Sequence, residues 1–425
     1  MHHLSNLLSQ EAASGCVLVS HSGKQHAYRH ALAVQSAGRL GAFATSSYFC
    51  PGRFPDRLAA MSSRMRRWLE RRRLKEIDET KIHRRWLLEA PELMARMLVG
   101  NGRVAESFVY KRDAAFDKWV AKRLVRQYPI YWGFQGSCRD SLKAAREAGS
   151  IAVAEFAIAH VSSAVRILST EAERHPEWAA TISNYHFPDW YRERLEEEPL
   201  LADVCVAASS FTRQSLLEVG VPDTRILTLP LGADLTLFKP KPRRTDGVFR
   251  VLFVGGVGQR KGIKYLLDAY KSIAGPSTEL VLCGPLPKEL SPLKLYDGLF
   301  EATGRVDQSE VIRQMYDADV LVLPSVFEGF GLVIVEAMAT GMPVIASTHS
   351  CGPEVIRSGV DGFVLEPDDV EGIADRLQRL HDDRLLASQM GANAATRAAE
   401  FSWVTHANNV KELLQQLCRT PEYLK

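Results

Sequence analysis

The stretch Ser325-Val-Phe-Glu-Gly-Phe-Gly-Leu-Val-Ile-Val-Glu-Ala-Met-Ala-Thr-Gly-Met-Pro-Val-Ile-Ala-Ser347 constrains this chain more than any other. It ends a buried strand, turns on two glycines and opens a helix. Gly329 and Gly331 remove side chains where the backbone must approach something closely. The helix beginning near Leu332 aims its unpaired N–H groups at the same spot, so the turn suits a phosphate or a sugar. Glu328 and Glu336 flank it. A carboxylate repels a phosphate but accepts hydrogen bonds well from paired hydroxyls, so the two acids suit opposite ends of one nucleotide sugar. In the blander reading Glu328 caps the helix and Glu336 is solvated. Glu336 lies among Val333, Ile334, Val335, Ala337 and Met338, where a solvated face is out of place.

A chain of 425 residues is long for one domain, and its 46% hydrophobic and 24% charged residues are ordinary for a soluble protein. Cysteines 16, 50, 138, 205, 283, 351 and 418 form no C-x-x-C pair and are odd in number, so they read as reduced core residues and exclude a disulfide framework. Met1 to Gln10 lacks the basic-then-apolar pattern of a signal, and no stretch reaches the roughly twenty apolar residues of a membrane span, so a place inside the cell is expected.

Short apolar runs alternate with helical segments, which predicts parallel sheets with helices on both faces. Cys16 to Ser20 reads as a first strand, His21-Ser-Gly-Lys-Gln-His26 as a loop, and Ala27 to Leu40 as a helix ending at Gly41. Further strands are expected at Pro129 to Gly133, Ile151 to Ala157, Val204 to Ala208 and Ile226 to Leu229. The Pro- and Lys-rich stretch Phe238 to Gly247 reads as a domain linker.

The second half opens on Phe249-Arg-Val-Leu-Phe-Val-Gly-Gly-Val-Gly-Gln-Arg-Lys-Gly262, a strand, a glycine-rich turn and a helix from about Ile263. Gly255, Gly256 and Gly258 let the backbone curl, and Arg260 and Lys261 add charge to the helix N-terminus, so this turn suits a diphosphate. Gly256, Gly258 and Gly262 also spell a loose dinucleotide fingerprint with Arg260 on a ribose phosphate, the reading of an NADP-dependent oxidoreductase. Against it, the next strand, Leu280 to Cys283, ends in Gly284-Pro-Leu-Pro287 with no acid for the ribose. Asp317-Ala-Asp319 has metal-motif spacing but falls between a helix, Ser309 to Tyr316, and a strand, Val320 to Leu323, at the end opposite the Gly329 turn. No required metal is expected there.

Two glutamates separated by seven residues, Glu328 and Glu336, around a Gly-aromatic-Gly turn resemble the signature of glycosyltransferase family 4. Tyr316 to Ser325 upstream, and Gly352-Pro-Glu-Val-Ile356 and Asp361 to Leu365 downstream, extend the likeness to about residues 200 to 405. The resemblance implies a GT-B type α/β fold: two Rossmann-like domains facing across a deep cleft, here 1–238 for the acceptor and 239–404 for the donor. A helix at about 405–425, capped by Ser402, crosses back to the first domain. It implies transfer of a hexose-type sugar, with retention, from a nucleotide-diphosphate sugar, UDP-linked by family default. The acceptor is a glycan, a lipid-linked or a small molecule, and no further cofactor takes part.

Lys261 matches the family lysine on the donor diphosphate and Arg260 is given the second basic role, beside Gly255 and Gly256. Glu328 with the backbone of Gly329, Phe330, Gly331 and Leu332 takes the donor sugar, and Glu336 the ribose. His160, after the run Ile151 to Ala159, matches a family histidine that touches the transferred sugar, against the plain reading of a locally satisfied histidine. Ser22 to Gln25 and Gly136-Ser137 are candidates to line the cleft. A noncatalytic nucleotide-sugar-binding scaffold of a polysaccharide-making complex is the third reading.

Residues 53–126 hold 20 Lys plus Arg against 10 Asp plus Glu, a net of +10 where the whole chain has +3. Trp68, Trp86 and Trp119 interrupt these basic segments. Such helices suit either an anionic membrane surface or a solvated face over core tryptophans. No recognition motif accompanies the charge, so nucleic acid is not expected.

Overall fold

The structure, a computed structural model, describes residues 16–419 apart from 25, 55, 60–62, 101–102, 184–185, 242–243 and 245. The readings of Met1 to Gln10 and Gln25, and the end of the last helix beyond 419, lie outside the described residues. So does the Trp68 side chain.

Val17–His21 (β1), Leu40–Thr45 (β2), Ile82–Arg84 (β3), Ile130–Phe134 (β4), Ile151–Phe156 (β5), Val204–Ala207 (β6) and Ile226–Thr228 (β7) form one sheet. They pair in parallel in the order β3-β2-β1-β4-β5-β6-β7. Every residue of β1, β4, β5 and β6 is buried, because helices cover both faces, and the strands therefore read as continuous apolar runs rather than alternations. Phe249–Val254 (β8), Thr278–Cys283 (β9), Glu301–Gly304 (β10), Val320–Leu323 (β11), Val344–Ser347 (β12) and Gly362–Leu365 (β13) form a second parallel sheet, ordered β10-β9-β8-β11-β12-β13. In each sheet the strand order reverses beside the first strand, at β1/β4 and at β8/β11. The loops leaving the carboxyl ends of those strands part there and open a crevice.

The first helix is shorter than its sequence predicts. It ends at Ser36, and Leu40 begins β2. Gly38, at φ 72°, is the stop: its N–H reaches Gln35 O and that of Arg39 reaches Val34 O, closing the last turn before Gly41 is reached. The last helix, Trp403–Arg419, starts at Ser402, whose Oγ accepts the Thr405 N–H at 3.0 Å. It buries Val410, Leu413, Leu414 and Leu417 in the core of the first sheet against Ala27–Ser36, a stripe in which each large side chain contributes roughly 1.5–3 kcal/mol.

Polar contacts draw the two domains together. Buried Glu171 accepts from Gln259 Nε2 at 2.6 Å and Tyr265 OH at 2.7 Å, Arg174 pairs with Asp368 at 2.5 Å, and Phe211 stacks on His349 with centroids 4.5 Å apart. Glu354 Oε1 accepts the Ser210 N–H at the start of helix Ser210–Glu218, where a carboxylate meets the positive end of the helix.

Candidate active site

Because β8 and β11 are neighbours, the turn after each leaves the sheet at one point, and this brings Lys261 to Glu328 although 67 residues separate them. Around the pair lies a cavity of about 520 Å³ lined by Gly255, Lys261, Glu328, Phe330, Gly331, Leu332 and Glu336. Gly331 sits at φ 82° as the N-cap of helix Leu332–Ala339, the left-handed conformation that a side chain disfavours. Glu336 lies one turn in, on the face that lines the cavity. Burial pushes its carboxyl up to about 7, and among the described residues no group hydrogen-bonds it. Glu336 is half-buried, and a carboxylate on a cavity wall without a protein partner is an acceptor for hydroxyls.

Burial, and then the charge of Arg260, pulls the Lys261 amine down to about 7. The Glu328 carboxylate in contact with it opposes this and holds the proton. Arg260 stands beside the pair rather than in the cavity lining. Its Nη1 donates to Phe327 O at 2.8 Å, its own carbonyl accepts from Val326 and Phe327 N–H at 3.0 and 3.2 Å, and Glu328 is 3.8 Å away. It holds the 326–328 loop in place. Gly256 lies in the turn but outside the lining, and Gly258 packs on the first domain: a Cβ there would stand 2.6 Å from Thr181 O. That contact accounts for Gly258 without a pyrophosphate.

His160 is not brought to this cavity. It is 1% exposed, its N–H donates to Ser215 Oγ at 2.8 Å, and its Nδ1 accepts the Ser162 N–H at 3.3 Å, capping helix Val161–Arg174. The segment before it, Ala157 to Ala159, is what meets the second domain. Ile158 forms a bridge with Gly329, Ser209 Oγ donates to Gly329 O at 3.1 Å, and a Cβ on Gly329 would lie 1.8 Å from Ala157 O. Gly329 is therefore required by the neighbouring domain's backbone.

Asp317 pairs with Arg313 at 2.7 Å, and Asp319 accepts the Arg250 N–H at 2.8 Å, both at the amino end of β11 and away from the cavity. Ser22 donates to Asp113 at 2.6 Å, Lys24 to the Arg71 carbonyl, and Ser137 is buried; Gly136 borders a second cavity described below. Leu231, Phe238, Gln308 and Val311 also line the first cavity and belong to no motif in the sequence. The capping pattern Asp307-x-x-Glu310 marks the helix start carrying Gln308, and was the one available signal.

Residues 236–397 match the family model described as Glycosyl transferases group 1. An MMP alpha-(1->4)-mannosyltransferase of Mycolicibacterium hassiacum is 31% identical over 231 residues, 52% of this chain and 54% of that protein. The sulfoquinovosyl transferase SQD2 of Arabidopsis thaliana is 28% identical over 48% of this chain and 42% of that protein. The chain spans about half the length of these curated relatives. Among solved structures, Anabaena HepE in complex with UDP and glucose has a TM-score of 0.61 at 16% identity, covering 94% of this chain and 99% of that one. Sucrose-phosphate synthase from Thermosynechococcus elongatus gives 0.60 at 21% identity over 94% and 98%. The fold is the GT-B fold, two Rossmann-like domains across a cleft. Its second domain matches glycosyl transferases of group 1.

Proposed function

We propose that the chain is a glycosyltransferase of the family 4 type that moves a hexose from a nucleotide-diphosphate sugar to a glycan, lipid-linked or small-molecule acceptor, with retention of configuration. The observation that carries this reading is the Lys261–Glu328 contact beside unpartnered Glu336, in a cavity floored by the start of a helix. A diphosphate entering the cavity takes Lys261 and the helix N-terminus; Glu328, released from its cation, accepts hydroxyls of the transferred sugar, and Glu336 accepts those of the ribose. As the diphosphate leaves, its growing charge meets donors already in place. UDP is the favoured nucleotide, in keeping with the UDP bound by the HepE structure. The reaction so proposed uses the donor and the acceptor, with no metal and no resident cofactor.

Lys261→Ala should weaken binding of a UDP-sugar roughly 30-fold, the loss of one charge-assisted contact of about 2 kcal/mol. Calorimetry with UDP-, GDP- and ADP-sugars, and NADP as a control, reads this directly. Preference for NADP, or equal affinity in the variant, would overturn the assignment.

The site of action we propose is the cytoplasm, at the inner face of an anionic membrane. No helix among the described residues is long and apolar enough to cross a membrane. Helix Ala90–Val99, however, is inside out: Glu92 is 8% exposed and bonded to Arg96 and Arg112, whereas Met97 and Leu98 are 86% and 79% exposed with Met94 on the same side. Exposed Leu87 and Trp86 precede it. Methionines and leucine at i, i+3 and i+4 facing water, within the basic segment, suit insertion among anionic headgroups. Replacing Met94 and Met97 together by Glu should reduce co-sedimentation with phosphatidylglycerol vesicles at least tenfold, by removal of apolar contact and addition of like charge. Equal sedimentation of variant and wild type would exclude this face.

A further inference from the structure

A second cavity, of about 210 Å³, adjoins the donor cavity on the side of the first domain. Ala157 borders both. Its wall includes Gly136, His26 at 2.9 Å from Glu155, and the rings of Tyr110 and Tyr191, stacked with centroids 4.4 Å apart. Tyr191 OH has two acceptors, Asp113 Oδ2 at 3.3 Å and Gly136 O at 3.4 Å. Asp113 Oδ1 also accepts from Ser22 Oγ at 2.6 Å, in the loop that leaves β1. One buried carboxylate thus holds two parts of the cleft edge.

Asp113 is in turn tied to helix Ala90–Val99, whose apolar face is exposed. Arg112 lies on the helix Arg103–Arg123 that packs along it. Its Nε and Nη2 donate to Asp113 at 3.0 and 2.8 Å, and its Nη1 donates to Glu92. Glu89, at the start of the same helix, accepts from Ser46 Oγ at 2.6 Å, and Ser46 reaches the Ser22 carbonyl. Both routes end on the loop after β1, and the route through Arg112 also ends on Tyr191. All three acids are buried, where such bonds hold geometry firmly.

These bonds and the hydrophobic effect pull the helix in opposite directions. The bonds keep Glu89 and Glu92 inward, whereas water favours a roll that buries Met94, Met97 and Leu98 and withdraws Glu92 from Arg112. A bilayer removes the opposition, because the apolar face inserts while the acids stay inward. Anything that favours one of two arrangements shifts the protein toward it. We propose that this helix is a membrane sensor for the cleft: contact with an anionic bilayer fixes Glu92 on Arg112, and Arg112, a positioning residue, thereby fixes Asp113, Ser22 and Tyr191. Resting on the transferase and membrane readings above, this makes transfer faster at the membrane surface than in free solution.

Hydrogen exchange read by mass spectrometry on the full chain, with phosphatidylglycerol vesicles, phosphatidylcholine vesicles or none, tests it. Phosphatidylglycerol should slow exchange at 21–24 and 189–193 by about fivefold or more and leave 255–262, in the second domain, unchanged. Arg112→Met should sediment with the same vesicles within about twofold of the wild type, yet lose the slowing at both places. Without vesicles it should exchange like the wild type, since water already favours the released helix. Faster exchange of the variant there would mark a structural role and overturn the proposal. Glu92→Gln keeps the side chain's shape, should behave alike, and guards against an Arg112 variant that fails to fold. A wild type that binds no vesicles, or binds them without slowed exchange, also overturns the proposal, as does slowing that survives in both variants. Slowing confined to the wild type, in a protein that binds no nucleotide sugar, upholds the sensor and removes the transferase reading.

Discussion

Gly329→Ala should lower turnover by about a hundredfold or more, while affinity for the free nucleotide changes by no more than about threefold. The added Cβ would stand 1.8 Å from Ala157 O and 2.8 Å from Ile158 Cα. Those are backbone atoms at the end of β5, and they cannot swing aside as a side chain tip can. The cheapest response is to break the Ile158–Gly329 bridge and the Ser209 hydrogen bond and let the domains part. Lys261 and Glu336 lie wholly in the second domain, so the nucleotide keeps its contacts. What is lost is the registration of donor against acceptor and the exclusion of water, on which transfer depends. Gly331 provides the comparison. It is left-handed at φ 82° and the atoms nearest a Cβ there, on Ile334, Glu328 and Leu323, all belong to the second domain, so Gly331→Asn, a residue that tolerates this conformation, should leave the domains together even where it crowds the donor cavity. Small-angle scattering and steady-state rates decide the matter: a Gly329→Ala protein with unchanged scattering and near-normal turnover would refute the closure argument.

The second sheet was readable because a parallel strand followed by a glycine turn and a helix leaves a repeated pattern in sequence. Val320 to Leu323 is read at its true bounds, and Lys261, Glu328 and Glu336 do line one cavity. Spacing could not show direction. Arg260 and Lys261 are adjacent, yet one turns into the cavity and the other under the loop. His160 follows a strand that stops at Phe156, four residues earlier, and its Nδ1 caps the next helix, a local partner that its place after the strand does not reveal. His26 gave no such signal, since its meaning depends on Glu155, 129 residues away and two strands across the sheet. Two strands of the first domain, β2 and β3, were lost for a local reason: β2 contains Gly41 in an apolar run that continues helical periodicity, and β3 is only three residues long.

Replacing Glu336 by Gln should make the protein more stable and less able to bind nucleotide, and the two effects should share one pH dependence. The carboxyl titrates at about 7 in the folded chain against an ordinary 4.5, with burial as the cause. A raised pKa means that the folded chain keeps a proton the unfolded chain gives up. The stability this confers is full below about 4.5 and is lost as the pH rises through about 7. At about pH 8 the wild type therefore carries a half-buried carboxylate with no protein partner, at a cost of at most about 3 kcal/mol, and an amide of the same shape avoids it. Thermal unfolding should show the variant gaining on the wild type from about pH 5 to 7 and holding that lead above it. Binding runs the other way. Ribose hydroxyls are donors that favour the ionised form, so UDP should bind the wild type several-fold more tightly at pH 8 than at pH 6, with release of a proton. The variant should bind at least tenfold more weakly at pH 8 and show little pH dependence. Calorimetry in two buffers of different ionisation enthalpy counts that proton. If none is released, or if the amide binds as well as the acid, Glu336 does not hold the ribose, and its burial in an otherwise apolar helix start would have to serve another ligand group.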